Sequence, residues 1–162
     1  MSQDTTQGDQ GQQPEMQFAL HRIYLKDASF ESPHSPEIFQ QFQPQVALDI
    51  TTSARSVAEG FYEVVVSITA EAKHTESNNT MFLVEVQQAG LFQITGVNDE
   101  QLEHTLNTYC PNTLFPYVRE SVDNFVTRGG FPALMLAPFN FDVLYAQKLQ
   151  QQQAEGQGQN LQ

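Results

Sequence analysis

Only seven residues of this 162-residue chain are Lys or Arg, against nineteen Asp or Glu, and cysteine occurs once. A formal net charge of -12 disfavours nucleic acid and anionic membrane surfaces and suits a basic partner. The single thiol, Cys110, rules out an internal disulfide, so a reducing cytosol is the expected compartment. No window approaches the ~18 uninterrupted apolar residues of a membrane span. The first residues hold neither a positive region nor an apolar stretch of signal-peptide length, so no membrane insertion is expected. Catalytic material is equally scarce. His21, His34, His74 and His104 include no pair four apart and there is no CxxC, which argues against zinc. The glycines at 90, 96, 129 and 130 form no phosphate loop. His104 and Cys110 are near in sequence, yet nothing adjacent would hold a base in place, so no enzyme and no cofactor are expected.

What is present organises one domain. Residues 1–15 are rich in glutamine and glycine and are expected to be a disordered tail, residues 16–150 a single domain, and residues 151–162 a second disordered, glutamine-rich tail. A strand is predicted from Gln17 to Glu31, with Phe18, Leu20, Arg22 and Tyr24 on one face and Ala19, His21, Ile23 and Leu25 on the other. Further strands are predicted over 46–50, 61–72 and 81–88, that over 61–72 with the clearest period-two alternation, and a meander-like antiparallel sheet follows. Leu91 to Ile94 reads as a separate short apolar piece, and a helix follows that Asn98 or Asp99 can cap.

The most informative stretch runs from Cys110 to Asp142. Asn112 or Thr113 can cap a helix, Pro116 suits its first turn, and Gly129-Gly130 stop it. Leu114, Val118, Val122 and Phe125 make an apolar stripe that must be buried, while Arg119 and Asp123 are spaced to pair on the polar face. The proline-broken run from Phe131 to Phe141 is a hydrophobic strap, and a last helix opens at Asn140 or Asp142 with Val143, Leu144, Ala146 and Leu149 facing inward. Strands first and helices afterwards is an α+β order.

The same stretch carries a resemblance. CPN-x-LFPY-x-RE, RG-x-FP and LAP-x-NFD, with RIY-x-KD-x-SFE at Arg22 to Glu31 and EVQQ-x-G at Glu85 to Gly90, closely resemble the SecB family of bacterial protein-export chaperones. The resemblance spans residues 17 to about 150, in several motifs in the right order. It implies an α+β chain with a four-stranded antiparallel sheet and C-terminal helices, assembled as a homotetramer, a dimer of dimers. It also implies an ATP-independent chaperone that holds unfolded precursor polypeptides and hands them to the SecA motor ATPase. By matching motifs, SecA contacts would fall on Asp27, Glu31, Leu83 and Glu85. A client groove would be walled by Phe39, Phe42, Phe131, Leu134, Phe139, Phe141 and Leu144, with Phe42 standing where family members commonly carry tryptophan. From the residues alone, the two proline-punctuated segments either cover the chain's own sheet or line a groove for another chain. The competing function is an α+β protein whose strap closes over a small apolar ligand.

Overall fold

The computed structural model describes residues 14–40 and 43–158. Four strands come first, β1 (Gln17–Glu31), β2 (Pro44–Ala58), β3 (Phe61–His74) and β4 (Thr80–Thr95). Three helices follow, α1 (Asp99–Asn107), α2 (Tyr109–Arg128) and α3 (Phe141–Gly158). All pairings are antiparallel in the order β1-β4-β3-β2, so the α+β class stands but the simple meander is corrected. The reason lies in the connections. β2 and β3 are joined by Glu59 and Gly60 alone, with Gly60 at φ 74, a left-handed conformation that glycine adopts without strain. Residues 32–43 are too many for such a turn, and they carry the chain to the far edge of the sheet while β1 pairs with β4.

One face of the sheet is packed. Val64, Val66, Ile68, Ala70 and Ala72 of β3, with Phe82, Val84, Val86, Phe92 and Ile94 of β4, are buried beneath α2. That helix presents Cys110, Leu114, Val118, Val122 and Val126, recurring every fourth residue and all fully buried. Each such Val or Leu contributes about 1.5–3 kcal/mol by leaving water. The fit is closest at Gly90, where a Cβ would lie 2.7 Å from the Phe92 ring and 2.9 Å from a Leu114 methyl. Gly90 therefore sits inside β4, which absorbs the Leu91–Ile94 piece expected to stand apart.

The helix starts differ from expectation in one place. Asn98 caps α1 through a reciprocal pair with Gln101, as its spacing predicts. α2 begins at Tyr109, before Asn112, because Thr108 already turns the chain out of α1 and Asn112 donates its N–H to the Thr108 carbonyl. Pro111 then occupies the first turn, where no N–H is needed, and Pro116 falls inside the helix. Gly129 and Gly130 end it as predicted: Gly130, at φ 90, donates to Thr127 and Phe131 donates to Val126, a complete Schellman closure. Asn140 caps α3 by accepting the Val143 N–H at 3.2 Å.

Two expectations for α3 change. Phe141 is its one buried residue among those described, whereas Val143 is 50% and Leu149 40% exposed, so the predicted inward face is open in the single chain. The helix also continues past 150 to Gly158, since glutamine and alanine are good helix formers and no proline interrupts them. Residues 1–13 and 159–162 of the expected tails lie outside the described residues.

Candidate functional site

β1 does not alternate simply, and this decides which side chains share a surface. Its pairing with β4 shifts between Leu20 and Arg22 and again between Leu25 and Asp27. Phe18, Leu20, Ile23, Ala28 and Phe30 consequently pack on the core side, correcting the expected face of Phe18, Leu20, Arg22 and Tyr24. After the second shift Asp27 stands opposite Gln87, Ser29 opposite Glu85 and Glu31 opposite Leu83. Opposed residues of an antiparallel pair point to one side, so Asp27, Glu31, Leu83 and Glu85 lie together on the face away from α2. Ser29 Oγ donates to Glu85 Oε2 at 3.5 Å. β3 adds Thr69 and Glu71 opposite Glu85 and Leu83, and β2 adds Asp49 opposite Thr69. Asp27, Glu31 and Glu85 are exposed, and among the described residues none of them is in an ion pair. Leu83 is half-buried among them, an apolar spot in an acidic surface.

At the other end of the same face lies a cluster that periodicity did not single out. Glu63, only 6% exposed, takes Lys26 Nζ at 2.7 Å and Arg55 Nε at 2.9 Å on Oε1, while the Tyr24 hydroxyl donates to Oε2. The Lys26 hydrogen bond is the chief cause, followed by that of Tyr24, holding the carboxyl down at about 2 despite its burial. Burial and the adjacent carboxylate push Tyr24 up to about 12. A Glu inside the apolar run of β3 was the sequence signal available for this cluster.

The apolar side is organised around Phe131. Its ring lies 5.1 Å from those of Phe82 and Phe39 and 6.5 Å from that of Phe30, centre to centre. Phe131 is therefore a core residue, and so is Phe141, which is fully buried against Phe115 and Phe139. Both were expected to wall a groove. Phe39 is exposed, and Leu134, Phe139 and Leu144 are half-buried at the margin of the core. Phe42 lies outside the described residues. Met135, 76% exposed, is held outward at φ 51 by its N–H bond to Asp123 Oδ1, which takes the carboxylate expected to pair with Arg119.

More apolar surface comes from the edge strands. Val46 and Leu48 of β2 and Leu25 of β1 stand 40 to 49% exposed on the helix side of the sheet, because α2 lies over β3 and β4 and leaves the edge strands bare. A cleft of about 250 Å3 between β2 and α3 continues this surface along Ile50, Thr52, Leu144 and Tyr145.

Cys110 is fully enclosed, and burial pushes its thiol up to about 12, outweighing any help from the α2 N-terminus. His104 instead faces Asp142 at 3.8 Å, bridging α1 and the start of α3. No helix is long and apolar enough to cross a membrane among the described residues.

Residues 10–152 match the family described as SecB, preprotein translocase subunit SecB. The chain is 53% identical over 152 residues to the protein-export protein SecB of Chromohalobacter salexigens, covering 91% of this chain and 93% of that one. It is 49% identical over 158 residues to the protein of the same name from Pseudomonas paraeruginosa, covering 97% and 96%. Among solved structures, a SecB-like chaperone of Mycobacterium tuberculosis in complex with a peptide from an antitoxin superposes with a TM-score of 0.64 at 18% identity, over 76% of this chain and 91% of that one, a likeness of fold.

Proposed function

This chain belongs to the SecB family, and from that premise we propose a role for each of its two surfaces. It is a protein-export chaperone that works without ATP: it holds precursor polypeptides unfolded in the cytosol and passes them to SecA. The observation that carries the client reading is the apolar surface left unfilled on the helix side of the sheet, Val46 and Leu48 on the edge strand β2 and Leu25 on the opposite edge strand β1, together with the exposed Phe39 and Met135 and the half-buried Leu134. Shallow apolar spots beside a strand edge suit extended chains of many sequences, because any large side chain gains by leaving water there. Phe42 belongs to the proposed wall by its place in the sequence, and Phe139 and Leu144 by their half-exposure. Phe131 and Phe141 support the wall from behind.

SecA is assigned to the opposite face. Three carboxylates, Asp27, Glu31 and Glu85, none of them in an ion pair among the described residues, share this face with Leu83, which stands opposite Glu31 and two residues from Glu85, an arrangement complementary to a basic tail with an apolar residue. The chain is proposed to assemble as a dimer of dimers, supported by the open face of α3, where Val143 and Leu149 stand exposed. Repeated grooves would then hold one long client through many weak contacts. The test is aggregation of a slowly folding polypeptide diluted from denaturant: suppression at equimolar chain without nucleotide supports the holding role, and undiminished aggregation removes it.

A further inference from the structure

The second pairing shift of β1 is where the acidic face begins, and Lys26 sits at that shift, reaching back along the sheet to Glu63, which stands opposite Leu91. Lys26 is the residue left out of the β1–β4 ladder, between Leu25 opposite Gln88 and Asp27 opposite Gln87. Its ammonium is drawn to Glu63 on β3, with β4 between and Ala89 opposite both Tyr24 and Val65. Arg55 of β2, paired directly with Glu63, brings the fourth strand into the same cluster.

We propose that this clamp selects Lys26 as the extra residue of the bulge and thereby puts Asp27, not Lys26, at the head of the acidic row. The hydrophobic pattern cannot make that choice. A bulge one residue later would leave Ile23, Ala28 and Phe30 directed at the core as they are now, exchanging only the roles of Lys26 and Asp27. Lys26 would then stand opposite Gln87, and a cation would replace an anion beside Glu85. What opposes the exchange is the buried Glu63 carboxylate, which would lose a charge-assisted hydrogen bond that solvent cannot replace. Lys26, Tyr24 and Arg55 are thus positioning residues for the docking face. The consequence for binding rests on the proposal that this face receives SecA; the placement of the bulge does not.

Both parts are tested together. Positions 27 and 87 are directly opposed in an antiparallel pair, so Asp27→Cys with Gln87→Cys should form a disulfide on mild oxidation, Cys110 being enclosed and unavailable. In the Glu63→Gln background the yield should fall at least about threefold, because the bulge is free to move. Lys26→Arg should retain it. With native residues at 27 and 87, Glu63→Gln should weaken SecA binding at low salt by about three- to tenfold while leaving client holding unchanged. If Glu63→Gln does not fold, Lys26→Met, at a side chain 40% exposed, gives the same reading. An unchanged disulfide yield in these variants overturns the clamp. A reduced yield in a protein whose wild type binds no SecA sustains the clamp and removes the docking reading instead.

Discussion

The ring of Phe30, on the edge strand β1, packs onto Gly129 at the end of α2 so closely that a Cβ at 129 would overlap it. Gly129 has an ordinary helical φ of -73, so space and not backbone conformation demands glycine there, whereas its neighbour Gly130 is required by its φ of 90. Gly129→Ala should therefore destabilise the fold by about 1–3 kcal/mol, as overpacking does. Combined with Phe30→Leu, the loss should be smaller than the sum of the two single losses, measured by urea unfolding.

Glu63 makes stability depend on pH in acid. Its carboxyl falls from the ordinary 4.5 to about 2 in the folded chain, so its contribution is fully present above about 4.5 and is lost as pH falls toward 2. Glu63→Gln should cost about 2 kcal/mol at pH 7, the scale of a hydrogen bond to a charged group. The gap from wild type should narrow steadily between pH 4.5 and 2 in denaturant titrations. A gap that stays constant over that range would mean the clamp is not ionic.

Much of this was legible in the residues, for identifiable reasons. The period-two run of β3 and the fourth-residue stripe of α2 are buried on one side, so their patterns are clean. β1 was legible as a strand but not in its facing, because two bulges shift the phase and a bulge leaves no mark in an alternation count. The pairing of β1 with β4 depends on a connection too long for a turn, which local signals do not resolve. Among the groove residues, aromaticity alone could not separate Phe131 and Phe141, which fill the core, from Phe39, which does not. The exposure of Val46 and Leu48 was not legible either, since alternation records which side a residue faces but not whether anything covers it.

The two faces of the sheet should be separable by charge reversal. Glu85→Lys, on the exposed acidic face, should lower SecA affinity by about tenfold or more at low salt and leave client holding largely intact. Leu48→Asp, on the opposite face, should do the reverse. Binding of each variant to SecA and to an unfolded polypeptide in parallel checks both, and equal loss of both activities in either variant contradicts separate surfaces.

Cys110 should behave as a packing residue. With its thiol enclosed and raised to about 12, alkylation by iodoacetamide at pH 7.5 should be at least about tenfold slower in the native chain than in denaturant. Cys110→Ser should leave client holding intact.

The proposed function requires an assembly that recognises the unfolded state. Light scattering on a size-exclusion column tests it most directly, for the chain alone and mixed with a slowly folding polypeptide freshly diluted from denaturant. The expected result is a four-chain species that takes up the unfolded polypeptide and ignores its native form. A monomer that leaves the polypeptide to aggregate would contradict it.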